Sequence, residues 1–96
     1  MQAWLRCTIL PGQFSWEYGA MGADASGDEF GLFVPAEYVE VNPPPTRETF
    51  VEGKMRVEVW DRKGDLVLVH LPREMLDGRH YLTVRADQVE TRGKAG

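Results

Sequence analysis

Displaced by 50 residues, the chain lies on itself. Leu32, Val34, Ala36, Val39 and Glu40 fall on Leu82, Val84, Ala86, Val89 and Glu90, and Glu37 falls on Asp87. At the start of each half Arg6 falls on Arg56, while Leu5, Cys7 and Ile9 fall on Met55, Val57 and Val59. The match needs no gap across two separate segments, which reads as an internal repeat rather than chance agreement between strands rich in Val and Leu. A repeat of two units is too short for a solenoid, which needs at least three to be stable. Two half-units that each expose an apolar sheet face close on each other instead. The expected fold is therefore all-β: a small barrel or compact sandwich of about six strands, built from halves 4–41 and 54–91.

Apolar residues recur at period two in four segments, the spacing of strands with one buried face. Leu5, Cys7 and Ile9 share a face in 4–10, and Met55, Val57 and Val59 share one in 54–60. Val67, Val69 and Leu71 do so in 66–71, and Leu82 and Val84 in 80–85. Residues 30–34 and 38–41 read as two further short strands. Arg62-Lys63-Gly64-Asp65 is a hairpin turn signal. Helix evidence is thin. Pro72 to Gly78 opens on proline and closes on glycine, which predicts one short helical turn near 72–77. Residues 35–38 and 86–89 suit 3₁₀ turns.

Two stretches read as loops. Residues 11–29 hold Pro11, Gly12, Gly19, Gly22, Gly27 and several acids, a long loop of the kind that carries function. Residues 42–49 carry three consecutive prolines and read as a stiff polar connector between the halves. Residues 92–96 have no apolar anchor and read as a flexible tail. The 96 residues have the length of a single domain.

The stretch Gly31-Leu32-Phe33-Val34-Pro35-Ala36-Glu37-Tyr38-Val39-Glu40 resembles the last strand, 3₁₀ turn and closing strand of SH3 domains. Residues 82–90 run parallel to it without the Pro and the Tyr. The family's N-terminal aromatic motif and central tryptophan pair have no counterpart upstream, and Val34 is an extra residue relative to the usual pattern. The resemblance implies strand–turn–strand geometry in a small barrel of SH3-like size. It carries over no peptide-binding residue.

Charge and cysteine usage narrow the function classes. The net charge of −4 argues against nucleic acid as a partner, because such affinity comes from Lys and Arg neutralising phosphates. The lone Cys7 excludes an intrachain disulfide and points to a reducing cytoplasm. The first residues lack a basic start followed by an apolar run, so no secretory signal is expected. No apolar run approaches the roughly 20 residues of a membrane helix.

No catalytic constellation stands out. His70 falls on the less buried face of its strand and His80 lies beside Arg79 at a strand start, so both read as solvated. Cys7 falls on the inward face with Leu5 and Ile9 and reads as a small apolar filler. One Cys and two His do not make a zinc pattern. Asp24, Asp28 and Glu29 lack the ligand spacing of a calcium loop, and the glycines lack that of a phosphate loop. The expectation is a protein that is not an enzyme and uses no cofactor or metal.

The remaining signal is aromatic. Trp4, Phe33, Trp60 and Tyr81 all fall on the strand face opposite the aliphatic stripe, and Phe14, Trp16 and Tyr18 alternate within 11–29. They could cover a barrel end or form another strand. Read functionally, they form a contact surface, since Trp and Tyr often dominate binding energy. The expected partner is a protein or peptide, with self-association into a homodimer through the same face as the alternative.

Overall fold

A computed structural model describes residues 1–91. The flexible tail expected at 92–96 lies outside them. The strands are β1 (Gln2–Pro11), β2 (Glu17–Ala23), β3 (Glu29–Pro35), β4 (Val39–Glu40), β5 (Val51–Lys63), β6 (Leu66–His70), β7 (Tyr81–Arg85) and β8 (Val89–Glu90). Two 3₁₀ turns, η1 (Ala36–Tyr38) and η2 (Ala86–Gln88), precede β4 and β8. The all-β expectation holds. Six strands form one antiparallel path, β3-β2-β1-β5-β6-β7, and the two-residue strands β4 and β8 lie off it.

Those two short strands close the sheet. β4 pairs with β5, Val39 opposite Met55, and β8 pairs with β1, Val89 opposite Leu5. Each residue of one closing pair is 50 positions from its counterpart in the other. The last strand of each half thus closes on the first strand of the other half. β1 is flanked by β5 on one edge and shares its other edge between β8 and β2. β5 repeats this with β4 and β6. The sheet curls at both ends and returns to its own middle, as a small barrel must.

The matched arginines take part in the exchange. Arg6 Nη1 donates to the carbonyl of Asp87 in η2 at 3.3 Å. The Arg56 guanidinium sits 4.7 Å above the ring of Tyr38 in η1, a cation–π contact. Each arginine therefore holds the 3₁₀ turn of the opposite half. Lys54 adds an ion pair with Glu90 of β8.

The alternation read from sequence is the burial pattern of the strands. Ala3, Leu5, Cys7 and Ile9 of β1 join Met55, Val57, Val67, Val69, Leu82 and Val84 in one buried cluster. Phe30, Leu32 and Val34 enter it from β3, and Leu71 and Met75 from the loop after β6. At Gly53 the backbones crowd: an added Cβ would stand 2.7 Å from Ile9 Cγ1 and 2.8 Å from the Glu40 carbonyl oxygen. One of these obstacles is backbone and cannot rotate away. Gly53→Ala is expected to cost about 1–3 kcal/mol in urea unfolding, the cost of overpacking. In the β5–β6 hairpin, Gly64 takes φ +60°, a left-handed turn value that suits glycine.

Two expectations need correction. Residues 11–29 are not one loop, because β2 runs through them and pairs with both β1 and β3. β2 takes its place in the six-strand path, and the two-residue β8 joins β4 beside that path. No helical turn forms at 72–77. The Met75 N–H donates forward to the Arg79 carbonyl at 2.8 Å and the Leu76 N–H across to the Gly31 carbonyl at 3.0 Å, so a local loop closure and a tertiary partner take the donors a helix would use. A turn closes there instead, with the Gly78 N–H donating to the Met75 carbonyl at 2.9 Å. The connector 42–49 joins β4 to β5 and contains a cis Asn42–Pro43 bond and a Thr46–Thr49 turn.

Candidate interaction surface

β5 carries a bulge next to β6. The register passes from Val59↔Val69 to Asp61↔Leu68, which leaves Trp60 without a partner opposite. Its indole projects outward, 57% exposed. Across the sheet, His70 of β6 pairs with Tyr81 of β7, and both side chains share the outer face with Trp60. The Trp60 and Tyr81 rings meet edge to face, with centroids 5.1 Å apart. His70 lies 5.5 Å from Trp60 and 5.0 Å from Tyr81. His80 stacks on His70 at 6.2 Å, and its Nε2 stands 3.2 Å from Glu74 Oε2. Four rings from three strands and a loop end thus hold one another in place on an outer face.

Charges of both signs flank this quartet, with Glu58 in its cross-strand row and Asp61 next to Trp60. Arg62 and Lys63 follow it along β5 and make no ion pair among the described residues. A shallow cleft lined by both, with Asp61, Leu66, Leu68 and Thr83, continues the same surface. Arg79 is engaged by Asp77, whose carboxyl is held below its ordinary value chiefly by the Arg79 backbone N–H. On the other side, a cleft of about 170 Å³ between Arg56, Tyr38, Glu58 and His70 borders the rings.

The other expected contact residues go elsewhere. Phe14 and Trp16 stack on each other at 5.5 Å in the β1–β2 loop. That loop is tied down: the Gln13 N–H donates to Glu17 Oε2 at 2.9 Å and the Trp16 carbonyl accepts the Ala36 N–H at 2.9 Å. Tyr18 is half-buried against the core. Trp4 is half-buried in β1, where it pairs with Arg56 and Glu90. Phe33 faces a groove on the first half. The structure therefore brings Trp60 to Tyr81 and Phe14 to Trp16, and it does not gather the seven aromatics on one face. Sequence reasoning missed His70 and His80 as members of the quartet. The signal was available for His70, whose strand parity puts it on the outer face.

The groove has a defined relation to the quartet. Its volume is about 360 Å³, and Leu10, Gly19, Met21, Gly31, Phe33 and Leu76 line it. Thr8, Met21 and Gly31 stand in one cross-strand row, as do Glu58, His70 and Tyr81 in the other half. Met21 and Gly31 therefore occupy the places of His70 and Tyr81. One half is raised by rings where the other is recessed by a glycine.

Chemistry finds little footing. Cys7 is buried, and burial pushes its thiol up to about 12, with the Glu52 charge adding to the shift. A neutral buried thiol is a poor nucleophile. Among the described residues no three His, Cys, Asp or Glu side chains converge as metal ligands, and no helix is long and apolar enough to cross a membrane. Comparison of the chain with the models of known protein families, with curated proteins and with solved structures finds no match.

Proposed function

We propose that this protein is a non-catalytic interaction module whose docking surface is the Trp60–His70–Tyr81–His80 face, and whose partner is an acidic protein segment carrying apolar side chains. The ring quartet is the observation that carries the reading. Trp60 and Tyr81 are 57% and 40% exposed, yet ring contacts already fix them, so little side-chain freedom is lost when a partner lands. Exposed, preorganised Trp and Tyr are the residues that dominate association energy. Arg62 and Lys63, which make no ion pair among the described residues, favour acidic side chains on the part of the partner that reaches the hairpin end, beyond Asp61. In this reading the two halves derive from one duplicated unit, supported by the gapless match of 32–40 with 82–90 and by the equivalent closing registers. The strand–3₁₀–strand endings support SH3-like geometry, and the single buried thiol suits a reducing compartment such as the cytoplasm.

Selection of displayed peptides on the full chain tests the reading. Selected peptides should combine Asp or Glu with Leu, Phe or Trp. Trp60→Ala and Tyr81→Ala should each weaken the selected peptide at least tenfold, about 1.4 kcal/mol. Their unfolding free energies should stay within about 1.5 kcal/mol of the parent, the worth of the ring pair that each breaks. Peptides without acidic residues, or peptides indifferent to both substitutions, would refute it.

A further inference from the structure

We infer that the Trp60–Tyr81 face is proton-gated: its stacked His70–His80 pair takes up protons as the pH falls below neutral and then receives a carboxylate of the acidic partner. The inference rests on the docking role proposed for that face and adds its regulation. Histidine is the side chain whose charge ordinarily changes between about pH 5 and 8. The chain has two, and the fold stacks them with ring centroids 6.2 Å apart and planes 13° from parallel. His70 also touches the two exposed rings, Trp60 and Tyr81, so a charge placed there sits within the docking surface.

The surrounding charges leave the sign of the face to this pair. From Arg56 to His80 the chain holds five acidic and five basic residues, which cancel. On β5, Arg56 lies over the Tyr38 ring, Glu58 stands opposite His70, and Asp61, Arg62 and Lys63 line the cleft beyond Trp60. Asp65 follows in the hairpin turn. In the loop after β6, Arg73 adjoins Pro72 at the edge of the Arg56 cleft, Asp77 holds Arg79, and Glu74 lies within ion-pair reach of a protonated His80. β7 brings the Tyr81 phenol at this end, its Arg85 being paired with Asp87 at the other. With both histidines protonated, the stretch from Arg56 to His80 carries two positive charges. His70 makes no ion pair among the described residues, which leaves that place to a partner carboxylate. Charged imidazoles this close repel, and a carboxylate laid against them relieves the repulsion. Binding and protonation therefore favour each other: affinity grows as pH falls through the histidine range and is lost as it rises.

Fluorescence titration of the full chain with a selected acidic peptide, at about pH 5.5 and about pH 7.5 on either side of the ordinary histidine midpoint, tests this. The peptide's Asp and Glu stay ionised at both. Affinity should be about fivefold higher at the lower pH, the scale of two exposed ion pairs. The ratio should fall to about one when His70→Gln and His80→Gln are combined, and for a peptide whose Asp and Glu are replaced by Asn and Gln. Taking the ratio removes whatever the two substitutions do to affinity at the higher pH. By NMR, the imidazole protons of both histidines should titrate at higher pH in the peptide complex than in the free chain, a measurement that needs no variant. A parent whose affinity is the same at both pH values overturns the inference, as does a ratio that survives the double substitution or an NMR titration that the peptide leaves in place. In each case, binding that Trp60→Ala weakens at both pH values leaves the docking role standing. If Trp60→Ala leaves the peptide's affinity unchanged, both fail.

Discussion

Cut between Thr46 and Arg47, the chain is expected to give two fragments that stay unfolded apart and refold when mixed. Each fragment holds a complete set of elements, so the expectation does not follow from element count. It follows from where the pairings go. The longest ladder, from Gln2↔Glu58 to Ile9↔Val51, joins β1 to β5 and disappears from each fragment. The closing strands lose their partners too, because β4 needs β5 and β8 needs β1. The buried cluster divides evenly, with Leu5 and Ile9 on one side of the cut and Met55 and Val57 on the other. A fragment near 40–50 residues sits at the size where a core no longer suffices without staples. Far-UV circular dichroism and tryptophan fluorescence should show no cooperative transition for 1–46 or 47–96 alone. Equimolar mixing should restore the parent spectrum. A cooperative, monomeric transition in either fragment would show that the exchange of closing strands is dispensable.

Leu5→Ala should cost about 3 kcal/mol, within the range of buried Leu→Ala changes. Leu5 is fully buried and lies opposite Met55 on one edge of β1 and Val89 on the other. It thus sits where three strands meet. Neighbouring backbones paired on both sides cannot collapse into the space it leaves. For a domain of this size the melting temperature should fall by about 15 °C. Met55→Ala, at the equivalent crossing opposite Leu5 and Val39, should behave alike. Leu76→Ala, at an exposed side chain, should leave the melting temperature nearly unchanged. Equal melting of Leu5→Ala and Leu76→Ala would contradict the placement of the core.

What could be read from the sequence was whatever strand parity and a fixed displacement reveal. The inward residues of β1, β6 and β7, the two 3₁₀ turns and the Gly64 hairpin were legible because each is a local pattern. β2 was not, for two physical reasons. Gly19, Ala20, Gly22 and Ala23 give it little alternation, since small residues suffice beneath Leu10 and Phe30. It also corresponds to β6 at a displacement of 49: Ala20 stands between Ile9 and Leu32 as Val69 stands between Val59 and Leu82. A gapless comparison at 50 puts Ala20 against His70 and sees nothing. The misread helical turn had cap residues that serve a tight turn equally well, and the partner that decided it, the Gly31 carbonyl, lies 45 residues away. The outward placement of Trp60 and Tyr81 was legible, but their contact was not. It depends on the bulge after Val59 and on the register of three strands, which no local pattern encodes.

The loops between β2 and β3 and between β6 and β7 reach across to the opposite half. The Ala25 N–H donates to the Thr83 carbonyl at 2.9 Å, in the middle of β7, and the Leu76 N–H to the Gly31 carbonyl, in the middle of β3. β3 and β7 are the outermost strands of the sheet path, where an unguarded edge would template another chain. With a loop seated at the midpoint of each, an incoming strand cannot run the length of either edge. Fibril-like stacking is thereby discouraged. Any contact this chain makes then falls to side chains on its broad faces, so its lifetime is set by rings and charges rather than by a backbone ladder.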